Sequence, residues 1–533
     1  METFLATETL IIELLLIVSI VAIGVRRLRI PYTVALVVVG LLITFQQEIE
    51  IDLTPELILS LFVPPLVFEA AFHIEFKNLR RDLVPILGLA IPGVLISTLI
   101  VGSIVSWTLN IPVTSGLLFG ALISATDPVA VVALFKALGA PKRLTTLVES
   151  ESLFNDGTAI VLFQLVLAAA VASIMGTSDA GASAGSDILG GVVDFIRVAA
   201  GGLLIGGGLG WIVAQIIARI DDYLIETTLT TVLAFGAFIV AERFHVSGVL
   251  AVVAAGILTG NIGPRGMSPT TKIVLFNFWE YLAFVANSLV FLLIGLDVNL
   301  REIAANIYPI AVALAAVLGS RLLVVYGVTS LINLRSQAGR VPLAFQHILF
   351  WGGLRGAISL ALVLSLPLLL PELALLKAMT FGVVLFTLLA QGTTMQFLMR
   401  WLGIGQAQEL ELEYERRHAK LLAARAELES VQKLHDENII SFATWIKIQP
   451  RLTKAVESAL DEQRVLLEEH PELQNEELED AEIEGLRANR AALATMLSNG
   501  VISDAVYEEL VEEVDAAILE TQKDKDVDGK ELE

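Results

Sequence analysis

Residues 149–175 read ESESLFNDGTAIVLFQLVLAAAVASIM, a short polar cluster that leads directly into a long apolar stretch. A helix that crosses the hydrocarbon core of a bilayer needs about 20 predominantly apolar residues, and this stretch is long enough. Six of the first nine residues have polar or charged side chains, which are costly in contact with lipid. The stretch therefore predicts a membrane helix whose polar end faces other helices or a cavity.

The composition of the whole chain places most of it in a membrane. Of its 533 residues, 55% are hydrophobic and 17% are charged, whereas soluble domains have about 25% charged residues. These values exclude a disordered chain, an ordinary soluble globule and a basic nucleic-acid-binding protein. The chain contains no cysteine, and this excludes disulfides and thiolate metal sites.

Apolar runs of spanning length recur through residues 9–400, separated by charges, Gly/Pro clusters and Asn or Asp. About thirteen spans are predicted: 9–25, 31–46, 55–72, 83–109, 114–137, 144–175, 187–218, 224–242, 247–262, 272–296, 303–330, 341–367 and 376–400. The expected fold class is an all-α polytopic membrane protein.

Clusters of Lys and Arg fall in alternate loops between these spans. The clusters are Arg26/Arg27/Arg29, Lys77/Arg80/Arg81, Lys136/Lys142/Arg143, Arg219, Arg265/Lys272, Arg335/Arg340 and Arg400. Because basic loops favour the cytoplasm, we expect an outside N-terminus and a cytoplasmic C-terminus in the cell (inner) membrane.

The composition changes at about residue 405. Residues 1–405 carry a net charge of −4, and residues 406–533 carry −18. We therefore expect a membrane domain followed by a small, acidic, α-helical cytosolic domain. Its predicted helices are 409–437, 449–470, 474–498 and 502–522, followed by a frayed end. An anionic leaflet repels net negative charge, so we do not expect this domain to bind the membrane. A solubilising or dimer-supporting role and an ion- or pH-sensing role both stay open.

Charged residues inside the spans are candidates for function, because each costs about 2.5–3.5 kcal/mol at the bilayer centre. The candidates are Glu69, Asp127, Glu151, Asp156, Glu280, Arg321 and Arg355. Arginine does not lose its charge and needs a carboxylate or a water-filled cavity. We expect Glu151 to pair with Arg321, with Arg355 competing for the same carboxylate.

Two spans contain sequences that interrupt a helix. In residues 124–128 (SATDP), Pro128 lacks an N–H and moves Asp127 out of the helical region. In residues 352–356 (GGLRG), three glycines surround Arg355 and permit either a second break or close helix packing. Broken membrane helices in transporters lie at ion sites. The alternative for Asp127 is that it only caps the second half-helix.

The polar cluster of residues 149–157 has helical order. Ser152 and Asp156 lie on one face, and Glu151 and Asn155 form a neighbouring i, i+4 pair. Hydroxyl, amide and carboxylate oxygens are hard ligands that suit a small cation. A hydrogen-bonded cluster that only joins helices is the alternative.

Other polar residues give weaker signals. Glu69 either reaches the same cavity or extends to the membrane surface, and Glu280 fits a dimer face or the lipid interface equally well. The isolated histidines show no metal-ligand spacing. They are His73, His245 and His347.

Together these motifs resemble the monovalent cation:proton antiporter-1 family, the NhaP-like and NHE-type sodium/proton antiporters, over about residues 10–400. The most specific match is ESLFNDG at 151–157. Support comes from ATDPVA at 125–130, PPLVFE at 64–69 and GGLRGA at 352–357. Ser150 departs from the glycine that is expected in many bacterial relatives.

The resemblance implies a homodimer of thirteen-helix protomers with inverted repeats, a dimerisation subdomain and a mobile core that contains two crossed discontinuous helices. It also implies that Asp156 binds the cation and the proton. Asp127, Ser152, the Thr126 carbonyl and Glu69 would complete the sodium site. Asn155 stands where electrogenic relatives have a second aspartate, which implies electroneutral exchange. Asn155, Glu151, Arg321 and Arg355 are expected to support the site.

The expected activity is secondary active exchange of sodium, or of lithium or potassium, for protons by alternating access, serving pH and sodium homeostasis. The alternatives are a potassium/proton antiporter and a cation channel, which would conduct far above carrier rates. We expect no enzyme activity, because Ser152 has no histidine nearby in sequence and no His-Glu-x-x-His motif occurs. No cofactor and no nucleic-acid partner are expected, since sodium and protons are the substrates and lipid is the surrounding medium.

Overall fold

The computed structural model describes residues 2–28, 32–46, 58–175, 184–297, 300–335, 340–404, 406–499, 501–503, 506–515 and 517. These residues form helices joined by short connections, and none of them lies in a β-strand. Contacts within the chain divide it into two units, Met1–Ile404 and Gly405–Glu533.

The α-helices of the first unit are named in chain order. They are α1 Glu2–Leu28, α2 Tyr32–Gln46, α3 Val63–His73, α4 Phe76–Arg81, α5 Leu83–Gly88, α6 Val94–Leu109, α7 Val113–Ser124, α8 Val129–Leu138, α9 Lys142–Met175, α10 Ala184–Ile217, α11 Tyr223–Arg243, α12 Gly248–Ile262, α13 Pro269–Asp297, α14 Leu300–Ala305, α15 Ile307–Arg335, α16 Leu343–Trp351, α17 Ala357–Leu364, α18 Leu373–Phe386 and α19 Gly392–Trp401.

Among the described residues, eight helical stretches are long and apolar enough to cross a membrane. They are Leu83–Leu109, Val113–Lys136, Lys142–Met175, Gly190–Ile217, Tyr223–Arg243, Pro269–Asp297, Ile307–Arg335 and Leu373–Trp401. Shorter apolar helices cover Ile12–Val25, Tyr32–Thr44, Ile58–His73 and Gly248–Ile262. The pair α16 and α17 lies in the twelfth predicted span. The protein is thus an all-helical, multi-pass membrane protein, while the total of thirteen spans stays a prediction.

The helices of the first unit pack in two groups. In one group, α12 packs against α3, α10 and α11, and α13 packs against α2. In the other, α7 packs against α6 and α9, and α15 packs against α6 and α18. Close approach in the first group requires glycine, because a β-carbon at Gly206 or Gly210 of α10 would overlap the backbone of α12.

Both predicted interruptions are real breaks. Residues 125–128 are not helical, and they separate α7 from α8. Ala125 is extended, with φ −57° and ψ 135°, as expected for a segment that leads into Pro128. Residues 353–356 likewise separate α16 from α17, so the glycines there permit a break and not helix packing alone. The two discontinuous helices predicted from the sequence are present.

The second unit is also helical. Its helices are α20 Gln406–Asp436, α21 Phe442–Glu469 and α22 Pro471–Ser498, and residues 506–515 are helical as well. The predicted start of the second helix at 449 is wrong: α21 begins at Phe442, where the Ser441 hydroxyl accepts a hydrogen bond from the Thr444 N–H. Pro450 is tolerated inside this helix. The end predicted to fray, residues 518–533, lies outside the described residues.

Candidate functional site

The two helix breaks cross, and a hydrogen bond joins them. The Asp127 N–H donates to the Leu354 carbonyl oxygen at 2.8 Å. A β-carbon at Gly356 would overlap the Asp127 carboxylate, so glycine at this position is what lets the two segments meet. The two breaks, which are distant in the sequence, therefore contact each other in the fold.

Charged side chains bind the ends of the half-helices at this crossing. Arg355 Nη1 donates to the carbonyl oxygens of Ser124 and Ala125, both at 3.2 Å, at the end of α7. Asp127 Oδ1 accepts from the Val129 N–H at 3.0 Å, at the start of α8. Helix dipoles favour a cation at a C-terminus and an anion at an N-terminus. The capping role considered for Asp127 is thus present in the structure, and Arg355 caps the other half-helix.

Helix α9 holds the first break through two side chains. Ser152 Oγ donates to the Thr126 carbonyl oxygen, and Asn155 Nδ2 donates to Thr126 Oγ1 at 3.1 Å. Next to them, Asp156 is only 9% exposed, and its Oδ1 has no hydrogen-bond partner among the described residues. A buried carboxylate oxygen is costly without a partner, so this atom fits a site that takes up a proton or a cation.

A cavity of about 80 Å³ lies beside the crossing. Since one water needs roughly 10–15 Å³ of such space, the cavity has room for a small cation with water. Its polar lining residues are Thr126, Asp127, Glu149, Ser152, Asp156, Asn287 and Ser359. The four residues predicted to hold sodium, Asp156, Asp127, Ser152 and Thr126, are therefore brought together around one space.

Glu69 is not brought into this group. Its carboxylate lies 3.4 Å from His73 Nδ1, and it interacts electrostatically with Lys136 and Glu280. The side chains of the same helical segment that do line the cavity are Val63, Leu66, Val67 and Ala70. The rotation of α3 about its axis thus places an apolar face toward the cavity and Glu69 beside it, which argues against the predicted direct contact with the cation.

Three polar lining residues were absent from the predicted ligand set. Glu149 lies on the cavity face of α9 with Ser152 and Asp156, at i, i+3 and i+7, so helical spacing could have identified it. It also interacts electrostatically with Glu69 and Lys136. Asn287 of α13 and Ser359 of α17 reach the cavity from other helices, and their only sequence signal was a polar residue within an apolar run.

Glu151 and Arg321 form the ion pair that the sequence predicted. Arg321 Nη1 lies 2.7 Å from Glu151 Oε1, and Nη2 lies 3.1 Å from Oε2. Both side chains are buried: Arg321 is 8% exposed and Glu151 is 3% exposed. Arg321 also donates to the Leu349 carbonyl oxygen near the end of α16, at 3.0 and 3.3 Å. The pair joins α9, α15 and α16 and does not line the 80 Å³ cavity.

The oxygen ligands around the cavity suit a small, hard cation. Within the described part of the chain, no group of three or more His, Cys, Asp or Glu side chains is arranged to hold a metal ion. The cavity instead combines carboxylates with hydroxyl and backbone carbonyl oxygens, which are hard ligands for small cations. Of the histidines, His347 contacts the Tyr326 hydroxyl at 2.5 Å and His73 contacts Glu69.

Comparison with known proteins gives consistent matches. The family described as "Sodium/hydrogen exchanger, transmembrane" matches residues 14–401. The "Na(+)/H(+) antiporter ApNhaP" of Aphanothece halophytica is 40% identical over 430 residues, covering 79% of this chain and 80% of that protein. The "Na(+)/H(+) antiporter NhaG" of Bacillus atrophaeus is 36% identical over 513 residues, covering 93% and 95%.

The fold is similar to a solved one. The sodium proton antiporter MjNhaP1 from Methanocaldococcus jannaschii superposes with a TM-score of 0.61 at 22% identity, covering 76% of this chain and 100% of that chain.

Proposed function

The chain belongs to the transmembrane sodium/hydrogen exchanger family, and from that premise we propose that it exchanges sodium for protons across the membrane, with Asp156 binding either ion. The observation that carries this proposal is the buried Asp156 Oδ1, which has no hydrogen-bond partner in the described part of the chain and lies at a cavity that Asp127 also lines. The relatives are named for sodium, which gives no support to the potassium alternative.

Sodium and a proton compete for the same carboxylate. Either ion neutralises the charge of Asp156, and a neutral site passes through a low-dielectric interior at a lower free-energy cost than a bare anion. A site that changes access only when it is occupied couples the sodium gradient to the proton gradient. Among the residues that line the cavity, Ser152 and the Thr126 carbonyl offer uncharged oxygen ligands, and Asp127 offers a second carboxylate.

The supporting residues keep those ligands in place. Asn155 fixes the Thr126 hydroxyl, and Arg355 binds the carbonyls that end α7. The Glu151–Arg321 pair anchors α9 to the neighbouring helices. Each of these groups holds the broken backbone in one geometry, which is the requirement for selective ligation by backbone oxygens.

The exchange is one sodium for one proton in this proposal, because the position beside Asp156 carries the uncharged Asn155 and its amide is occupied by Thr126. We expect an imposed membrane potential of either sign to leave the initial rate of sodium-driven pH change unaltered in proteoliposomes. The measurement is dye-reported internal pH with a potassium–valinomycin potential. Proton uptake driven by the potential alone would contradict electroneutrality, and sodium currents far above carrier rates would identify a channel.

Gly356 gives a test of the crossing itself. In Gly356→Ala the new β-carbon overlaps the Asp127 carboxylate and displaces it from the cavity. Since a shift of about 1 Å in a reacting group costs up to about a hundredfold, we expect exchange to fall ten- to a hundredfold. Gly319→Ala is the matched control, because, apart from its chain neighbours and the backbone of its own helix, no atom of the described residues lies within 4 Å of its β-carbon position. Equal rates in the two variants would show that the crossing tolerates a displaced Asp127.

We also propose a homodimer in the cell membrane with the N-terminus outside and the C-terminus in the cytoplasm. The proposed orientation is supported by contacts between segments that carry basic residues predicted to be cytoplasmic. Arg143 pairs with Asp82, which follows Arg80 and Arg81, at 2.8 Å, and it donates to the Arg340 carbonyl oxygen at 2.7 Å. Basic residues at span ends favour the cytoplasmic side.

A further inference from the structure

Glu149 lies between the proposed ion site and the start of helix α9 at Lys142. It precedes Ser152 and Asp156 at helical intervals, so the three side chains share one face of the helix. With a rise of 1.5 Å per residue, Glu149 and Asp156 are about 10 Å apart along the helix axis. All three side chains line the 80 Å³ cavity. Helix α9 therefore brings a second carboxylate to this cavity, about two turns from Asp156.

The exposure of the charged side chains increases from the site toward the connection between α8 and α9. Asp156 is 9% exposed, Glu149 is half-buried, and Lys136 in the last turn of α8 is exposed. Lys136 and Glu149 lie on either side of the connection, residues 139–141, in the sequence. A lysine near the end of a membrane helix extends to the aqueous interface. These side chains therefore mark a route between water and Asp156.

Carboxylates outnumber basic groups along this route. Glu149 interacts electrostatically with Glu69 and Lys136, and Glu69 interacts with His73, Lys136 and Glu280. His73 lies 3.4 Å from the Glu69 carboxylate. Within the described part of the chain, Glu149 has neither a hydrogen bond nor a basic nitrogen atom within 4.0 Å. Its oxygens are thus available to a cation that enters the cavity.

A cation that leaves Asp156 has apolar groups on much of the cavity wall. The segment that ends in α3 contributes Val63, Leu66 and Val67 to this wall. These side chains supply no ligand, and a charge that loses its ligands before water replaces them is costly. A carboxylate part of the way to water lowers that cost, because ions move readily only when several sites bind them weakly in succession.

We propose that Glu149 is a staging site for sodium between Asp156 and the aqueous phase beside Lys136. The inference rests on the proposed function and assigns one step of it. Sodium binds first at Glu149, where Lys136 supplies the counter-charge in the absence of a cation, and then moves about 10 Å to Asp156. Because Glu149 lies on one side of Asp156, it serves ions that enter from one face of the membrane only.

The experiment supplies sodium to one face of the membrane at a time. The chain has no cysteine, so a biotin on Leu478→Cys, which is 60% exposed in the second unit, allows proteoliposomes of one orientation to be captured. In Glu149→Gln we expect the half-saturating sodium concentration to rise about tenfold at one face, because clefts lined by one sign of charge concentrate counter-ions at least about tenfold. The value at the other face and the maximal rate should not change.

Three further variants test the role of the charge. Glu149→Asp keeps the carboxylate and should restore the wild-type sodium dependence. Lys136→Gln removes the competing counter-charge, so it should lower the half-saturating sodium concentration at the face where Glu149→Gln raises it. Glu75→Gln is the matched control and should have no effect, because this exposed carboxylate bonds to Asn78 and does not line the cavity.

Three outcomes would overturn the staging role. An equal rise at both faces would show that Glu149 acts on Asp156 only as a distant charge. An unchanged half-saturating concentration would show that sodium does not use Glu149, and loss of exchange at saturating sodium from both faces would place Glu149 in the main site. Failure of the proposed function looks different, since the wild-type protein itself would then show no sodium-driven pH change.

Discussion

Replacing Asp156 by asparagine is expected to abolish sodium-driven pH change in proteoliposomes. The amide neither releases a proton nor neutralises a bound cation, so the two ions lose the group for which they compete. Removing the charged partner of a buried ion costs about 3–5 kcal/mol, which corresponds to a loss of at least about a hundredfold. The measurement is internal pH after a sodium gradient is imposed, together with sodium binding by calorimetry.

Asp194→Asn is the matched control, since that carboxylate is 54% exposed and pairs only loosely with Arg197, at 3.8 Å. It should exchange like the wild type. A folded Asp156→Asn protein that exchanges at the wild-type rate would remove Asp156 from the mechanism. If both variants lose exchange, the loss is not specific to Asp156, and the result would contradict its assignment as the ion-binding carboxylate.

Replacing Glu151 by glutamine is expected to destabilise the protein more than any other single change in the supporting shell. It leaves Arg321, 8% exposed, without a counter-charge. Breaking a buried pair from one side costs about 3–5 kcal/mol, because the remaining charge stays desolvated. The measurement is the midpoint of thermal unfolding in detergent, followed by tryptophan fluorescence.

A double variant shows whether stability depends on the ion pair itself or only on avoiding an unpaired buried charge. Replacing both members, as Glu151→Met with Arg321→Met, removes the uncompensated charge and should unfold at a higher temperature than Glu151→Gln alone. Glu413→Gln breaks a partly exposed pair with Arg417 in the second unit and should change stability by less than about 1 kcal/mol. Wild-type stability of Glu151→Gln would mean that Arg321 is satisfied by the Leu349 carbonyl or water.

Local sequence predicted the backbone of the site well. Pro128 and the glycines around Arg355 specify breaks, because a missing N–H and a missing β-carbon act within one helical turn. The i, i+4 relation of Ser152 and Asp156 likewise follows from helix geometry and placed both at the cavity. The Glu151–Arg321 pair was predictable because a permanently charged buried arginine needs a carboxylate.

Local sequence did not predict which side chains line the cavity, because that depends on how each helix is rotated against its neighbours. Glu69 and Glu149 are both acidic residues near span ends, yet only Glu149 lines the cavity. Asn287 is distant in sequence from every other lining residue, and only the packing of α13 brings it there.

The sequence by itself thus determined the membrane fold class, the two broken helices and the carboxylates on α9, because hydropathy, proline, glycine and helical period act over short distances. The tertiary structure alone decided which half-helix end each arginine caps and which carboxylates share the cavity. Those outcomes depend on contacts between residues far apart in the chain, such as Asp127 with Leu354 and Glu151 with Arg321, and such contacts are set by how whole helices pack.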